Sequence, residues 1–197
     1  MGYSETIGRV MHGDYSRATE AERAAAVRDV TVVSSVAAAA VTIQPVPLVD
    51  VALLAPIHIG MVQAIGRIHG HSLDLKSAVE MIASFGASIV VRGVAFSALK
   101  ILPVFGWAAA ASVAYATTYA IGEVSHCYFK SGRGMSASEL RSAYRSVYEA
   151  KRAEKEAQVK NDASLKERLR QLNEAFAAGL LSEEEYRKKK EDVLKGL

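Results

Sequence analysis

The chain has 197 residues, of which 50% are apolar, and a formal net charge of +3. This length suits one medium domain with an accessory piece, and so small a net charge gives no reason to expect nucleic-acid binding. The single cysteine, Cys127, excludes an intramolecular disulfide, and we expect it to be a buried thiol rather than a nucleophile. Charged residues are scarce from about residue 30 to residue 122 and dense after residue 130, which predicts two different physical environments.

The beginning of the chain divides into a polar segment and an apolar one. Residues 1–19 contain three glycines without apolar periodicity, which predicts a flexible arm. Thr19 and Glu22 have capping-box spacing, so a helix is expected to begin there. From Val30 to Val49 no side chain is ionisable over about twenty residues, a length that could cross a hydrocarbon core. Its many small residues would also suit a closely packed bundle outside a membrane.

Two prolines then predict a corner followed by a second apolar helix. Pro45 and Pro47 lack an N–H group and cannot lie inside a regular helix. Asp50 would lie in the first turn of the next helix, where a carboxylate meets the positive end of the helix dipole. Pro56 is expected either to kink this helix or to divide it, and Gly70 to end it. The sequence therefore predicts an apolar helical hairpin.

The rest of the apolar region has the same character. Met61, Ile65 and Ile68 recur at helical spacing and are expected to face the core. A second uncharged run of about twenty residues extends from Ile101 to Gly122. No useful length of sequence alternates with period two, so strands are not expected. Residues 20–130 are therefore predicted to form an all-α domain built from apolar hairpins.

The charged end of the chain predicts two further segments. Residues 131–163 begin with a Ser-Gly-Arg-Gly hinge and continue, from a capping box at Ser136 and Glu139, as a long charged connecting helix. Residues 164–197 read as an αα-hairpin whose two helices begin at Ser164 and Ser182. This hairpin is too small to bury much core alone, so its apolar face is expected to bind a partner or copies of itself. That face comprises Leu165, Leu169, Leu172, Phe176, Gly179, Leu181 and Tyr186.

Two family resemblances follow from these motifs. The last thirty or so residues, with their leucines, Gly179, Ser182 and Glu-Glu-Tyr, resemble the short C-terminal domain called SHOCT. The region from Arg23 to Lys130 resembles the bacterial domain-of-unknown-function family 697, which is often attached to or encoded beside Era-like small GTPases. The matching positions are Pro45, Pro47, Asp50, Met61, His69-Gly70, Leu102-Pro103 to Gly106 and Thr118 to Gly122. The second resemblance implies association with membranes and with a GTPase, and it implies no reaction.

No catalytic, cofactor or metal site is predicted. The chain contains no Gly-x-x-x-x-Gly-Lys-Ser/Thr loop, so a GTPase would be a separate polypeptide. His58, His69 and His71 lack the spacing of metal ligands, and we expect a capped turn with solvated histidines. Asp50 and His58 could instead form a buried polar site together with Arg92 in an enzyme or transport element. This enzyme or transport interpretation ranks below the two interpretations given next.

The leading interpretation is a non-enzymatic adaptor at the bacterial inner membrane or its cytoplasmic face. Its expected partners are membrane lipid, a small GTPase and other copies of the chain, with the C-terminal hairpin mediating oligomerisation or recruitment. The alternative is a soluble, cytoplasmic helical regulator or scaffold for a GTPase that has no contact with lipid.

Overall fold

Seven α-helices make up the secondary structure of the described residues, and no strand occurs among them. The computed structural model describes residues 3–42, 49–85, 106–177 and 182–195. The helices are α1 (Tyr3–His12), α2 (Glu20–Thr42), α3 (Val49–Ile68), α4 (Leu75–Ser84), α5 (Gly106–Lys130), α6 (Ala137–Ala177) and α7 (Glu183–Lys195). The all-α prediction is confirmed.

The chain divides into two compact units, Met1–Ala153 and Glu154–Leu197, and the division falls within α6. The prediction that a helix begins at Ser164 is wrong, because α6 is continuous from Ala137 to Ala177. No proline or glycine interrupts this stretch, and weak helix formers such as Asn161 and Ser164 do not end a helix that strong formers surround.

The N-terminal residues differ from the flexible arm that the sequence predicts. Tyr3–His12 forms α1, whose Thr6 and Val10 are buried. The Tyr3 hydroxyl donates a hydrogen bond to the Ile57 carbonyl of α3 at 3.3 Å. Helix α1 is short, and its stability depends on α2 and α3 covering its few apolar residues. Local periodicity in the sequence therefore does not reveal this helix.

The capping boxes that the sequence predicts are formed at three helix starts. In each box the glutamate carboxylate accepts from the backbone N–H of the cap residue, while the cap hydroxyl accepts from the glutamate N–H. The carboxylate distances are 2.8 Å for Thr19 and Glu22, 2.7 Å for Ser136 and Glu139, and 2.9 Å for Ser182 and Glu185. Helix α4 begins at a fourth cap, where Asp74 accepts from the Ser77 N–H at 2.8 Å.

The predicted corner lies only partly within the described residues. Pro45 and Pro47 lie outside them, and Asp50 is the second residue of α3, with its side chain also outside the description. Pro56 lies inside α3, which is a single helix rather than two pieces. The Pro56 residue is exposed, so its ring lies on the outer side of the helix.

Two helices of the first unit end in the same backbone motif. Gly70 has φ +82°, and the N–H of His71 donates to the Gly66 carbonyl at 2.8 Å, which together form a Schellman end to α3. The Ser-Gly-Arg-Gly segment ends α5 in the same way, with the Arg133 N–H donating to the Tyr128 carbonyl at 2.9 Å. Gly70 therefore ends its helix as predicted.

The core of the first unit extends into the charged helix. Met61, Ile65 and Ile68 are fully buried, which confirms the predicted core face of α3. Tyr144 and Tyr148 of α6 are also buried in this core, and the ring of Tyr144 stacks on Phe85 with centroids 6.4 Å apart. The start of the connecting helix is therefore part of the apolar domain.

Helix α2 packs most extensively against α5, and the two backbones approach closely at Gly122. A Cβ atom added to Gly122 would lie 2.6 Å from the Cγ2 and Oγ1 atoms of Thr31. Only glycine fits at this position without moving Thr31, whose β-branched side chain has few alternative rotamers.

In the second unit, α7 is joined to the distal part of α6 by a side-chain hydrogen bond. The Tyr186 hydroxyl donates to Asn173 Oδ1 at 2.7 Å. Tyr186 is the member of the predicted hairpin face whose side chain is described; Gly179, Leu181 and the side chains of Leu165, Leu169, Leu172 and Phe176 lie outside the described residues. The interaction face of the hairpin therefore stays a prediction.

Substitution Gly122→Ala is expected to destabilise the first unit by about 1–2 kcal/mol, because overpacking outweighs the gain in helix propensity. Urea denaturation of the full chain measures the change. The matched control is Gly8→Ala in α1, where an added Cβ meets nothing within 4 Å and a small stabilisation is expected. Combining Gly122→Ala with Thr31→Ala should recover part of the loss. An equal loss with and without Thr31→Ala would show that this contact is not the cause.

Candidate functional site

Helix α2 buries Val27 and Val30 in its earlier turns, whereas its later turns bury hydroxyl groups and expose two valines. Thr31, Ser34 and Ser35 are fully buried, whereas Val32 is 36% exposed and Val36 is 53% exposed. In these later turns the arrangement is the opposite of that in an ordinary surface helix of a water-soluble domain, where apolar residues lie toward the core and polar ones toward water. The outer face of α2, defined here by Val32 and Val36, is therefore a candidate contact surface.

Some buried hydroxyls of α2 and α5 are hydrogen-bonded within their own helices. Ser35 Oγ donates to the Thr31 carbonyl and Ser125 Oγ to the Ile121 carbonyl, both at 2.7 Å. Bonds to the carbonyl four residues earlier let a hydroxyl lie in an apolar contact between helices, as in helices packed within membranes. Three other buried hydroxyls have no hydrogen-bond partner among the described residues: Thr31, Ser34 and Thr117.

An open groove of about 900 Å³ runs between α1 and the outer face of α2. Its lining includes Val32 and Val36, and Arg9 forms an ion pair with Asp29 at 3.6 Å beside it. The outer face of α2 is thus apolar along its later turns and bordered by charges near its start.

His58 forms a buried polar pair with Thr118. Its Nε2 lies 2.9 Å from Thr118 Oγ1, and the Thr118 hydroxyl donates to the Ala114 carbonyl at 2.9 Å. Since the hydroxyl proton is used in that bond, Nε2–H of His58 must be the donor to Oγ1. Burial lowers the pKa of His58 to about 4, so the ring is neutral at physiological pH.

The three histidines that the sequence predicts to be solvated are not exposed: His58 is buried, and His69 and His71 are half-buried. His69 Nε2 lies 2.9 Å from Nδ1 of His126 on α5, and the ring of His71 stacks on Phe129 with centroids 5.3 Å apart. Burial, with smaller effects from the charges of His126 and Arg23, lowers the pKa of His69 to about 4. No signal near His69 in the sequence could have indicated a partner 57 positions away.

The remaining candidate residues are placed as follows. The predicted polar combination of Asp50, His58 and Arg92 cannot be assembled from the description, because Arg92 and the Asp50 side chain lie outside it. Within the described ranges, no three His, Cys, Asp or Glu side chains are grouped so that they could hold a metal ion. Cys127 lies on the outer side of α5 and is exposed, so the expectation of a buried thiol is wrong. The sequence around it does not show which side of this helix faces the core.

Two family models match the sequence. A domain of unknown function, DUF697, matches residues 10–168, and the short C-terminal domain, SHOCT, matches residues 167–194. The chain belongs to the DUF697 family. Both predicted resemblances are confirmed, and the DUF697 match includes α1 from Val10 and most of α6, as the core contacts of Tyr144 and Tyr148 require.

One curated relative of this DUF697 chain is Magnetosome membrane protein 22 of Magnetospirillum gryphiswaldense. The two are 33% identical over 128 residues, which cover 59% of this chain and 66% of the relative, just under two thirds of its length. No solved structure matches this DUF697 protein significantly.

Among the described residues, one helical segment, Glu20–Val41 of α2, is long and apolar enough to cross a membrane. Its most apolar window has a mean hydropathy of 1.5, and 33% of that window is buried. Core helices of water-soluble proteins can have the same length and composition, but most of their residues are buried. The exposure of α2 therefore distinguishes it from such core helices more clearly than its hydropathy does.

The free energy of unfolding is expected to fall as the pH is lowered from about 6.5 toward 4. The unfolded state takes up protons on its histidines below pH 6.5, whereas folded His58 and His69 resist protonation until about pH 4. For His58 alone the loss is about 2 kcal/mol at pH 5. Urea titrations from pH 7.5 to 4.5 measure it.

His58→Gln is the control for this pH dependence, since glutamine can still donate to Thr118 but does not titrate. The variant should lose less stability on acidification than the wild type. An unchanged pH dependence in His58→Gln would contradict the assignment to His58.

Proposed function

We propose that this DUF697 protein is a non-catalytic, membrane-associated adaptor, located at the bacterial inner membrane or its cytoplasmic face. The observation that carries the proposal is the arrangement of the later turns of α2, where Val32 and Val36 are exposed and Thr31, Ser34 and Ser35 are buried. The printed name of the relative, a magnetosome membrane protein, supports a membrane-associated role.

The energetics of α2 favour an apolar environment for its outer face. Covering an exposed valine side chain with apolar material stabilises by about 1.5–3 kcal/mol at full burial. The inward hydroxyls of Ser35 and Ser125 are already bonded to carbonyls of their own helices, so lipid around α2 would leave them satisfied. Between Asp29 and the end of α2 no charged side chain interrupts the outer face.

Substitution Val36→Glu is expected to release the chain from membranes into the soluble fraction. The glutamate carboxylate on the outer face would have to enter an apolar environment. For aspartate, which carries the same charge, the cost at the centre of a membrane helix is about 2.5–3.5 kcal/mol. Expression in bacteria followed by fractionation, with and without a carbonate wash, measures the distribution. The wash also separates peripheral from integral association.

Val79→Glu is the matched control for Val36→Glu. Val79 is 46% exposed on α4, where Lys76 and Glu80 form an exposed ion pair beside it, so an added glutamate meets a polar surface. This variant should fractionate like the wild type. Recovery of the wild type wholly in the soluble fraction, without detergent, would reject membrane association and favour the cytoplasmic alternative.

The C-terminal hairpin is proposed to recruit a partner or to form oligomers of the chain. The SHOCT match and the hydrogen bond between Tyr186 and Asn173 support a hairpin unit, and so short a unit gains stability from a surface that covers its apolar face. A separate small GTPase is the proposed partner, because the family resemblance implies one and the chain has no phosphate-binding loop of its own.

Leu169→Glu in the full chain is expected to weaken whichever contact the hairpin makes. Light scattering tests oligomerisation as a change in mass, and co-purification with the GTPase in its GDP and GTP forms tests recruitment. Val159→Glu is the control, because Val159 is already 37% exposed on the same helix. Equal mass and equal co-purification for wild type, Leu169→Glu and Val159→Glu would exclude both roles.

A further inference from the structure

A polar cavity of about 240 Å³ lies among the segment after α1, the start of α2 and the end of α3. It is open to solvent on one side and is large enough for a tetrahedral oxyanion with part of its hydration. Gly13 and Gly70 border it without side chains. The polar side chains that line it belong to Asp14, Ser16, Arg23, Arg67, His71 and Ser72.

Arg23 is fixed in this cavity but incompletely bonded. Its Nη2 donates to the Tyr15 carbonyl at 2.9 Å, which orients the guanidinium group. Its Nε is buried and has no hydrogen-bond partner among the described residues. Buried donors in folded proteins nearly always have an acceptor, so this N–H is available to a water molecule or to an anion bound in the cavity.

The charges around the cavity favour a ligand with one negative charge. Arg23 and Arg67 are cationic, while Asp14 is anionic. Hydrogen bonds from Ser16, and to a smaller extent the charge of Arg67, lower the pKa of Asp14 and keep it ionised at neutral pH. One positive charge is therefore left in excess among these three side chains.

We propose that this cavity binds a singly charged phosphate group, that is, a phosphodiester. Guanidinium groups bind phosphate oxygens through paired N–H donors, and Arg23 and Arg67 supply two such groups, with the hydroxyl of Ser72 beside them. The phosphodiester could be a phospholipid headgroup or a soluble compound. Only the lipid source rests on the proposed membrane association.

The test uses the full chain, the variant Arg67→Gln and two soluble probes. Arg67 is exposed, so its substitution leaves the fold intact, which circular dichroism verifies. NMR titrations with dimethyl phosphate and with inorganic phosphate measure affinity at pH 7.5. Dimethyl phosphate is expected to bind, and Arg67→Gln to weaken it about tenfold, the effect of losing hydrogen bonds from a charged group. Arg28→Gln is the control, since Arg28 is an exposed arginine of α2 outside this cavity.

A second measurement identifies the source of the phosphodiester. Vesicles of phosphatidylglycerol and phosphatidylcholine are mixed with wild type, Arg67→Gln and Arg28→Gln, and bound protein is separated by flotation. A larger loss for Arg67→Gln than for Arg28→Gln assigns the cavity to lipid headgroups. Equal vesicle binding by the two variants, together with a tenfold loss for dimethyl phosphate, assigns it to a soluble phosphodiester.

Three results would overturn the proposal. The first is that dimethyl phosphate does not bind. The second is that Arg67→Gln and Arg28→Gln lose equal affinity for every probe, and the third is that inorganic phosphate binds more tightly than dimethyl phosphate. Failure of membrane association is distinguishable, because a chain found wholly in the soluble fraction would still bind dimethyl phosphate.

Discussion

The close approach of α2 to α5 is the constraint on which the rest of the first unit depends. Because Gly122 has no side chain, Thr31 can lie against α5, and small residues and hydroxyls line the inward face of α2 over its later turns. Val27 and Val30 are buried in the earlier turns, whereas Val32 and Val36 lie on the outer side of the later ones. The exposed apolar face therefore lies opposite a closely packed helix contact.

Local signals predict much of this structure, and contacts between distant residues account for what they miss. The capping boxes, the end of α3 at Gly70 and the core face of that helix depend on residues within one or two turns, so the sequence contains all the information that they need. The pairing of His69 with His126 requires two helices to meet, and α1 is stabilised by packing on others. The exposure of Val32 and Val36 on α2 was equally hidden, because alternating small and apolar residues do not show which face will be buried.

Charge and hydropathy along α2 have the order expected for a helix at a membrane surface. Arg23 is at its start and Val36 is thirteen residues later, which at about 1.5 Å per residue separates them by about 20 Å along the axis. One leaflet, with its headgroup region, has about this thickness. In the proposed association, if Val36 lies in the hydrocarbon core, the cavity that contains Arg23 lies near the depth of the lipid phosphates. Helix α2 could then contribute to both the apolar contact and the phosphate contact.

The exposed thiol of Cys127 has a practical consequence. Since the chain has one cysteine, a maleimide-linked fluorophore or spin label would attach at a single, native position on α5. The label would be next to His126, whose ring meets His69 of α3, and on the helix that packs against α2. Spectroscopy of the labelled protein could therefore follow the environment of this helix contact, in solution and in lipid, without any engineered residue.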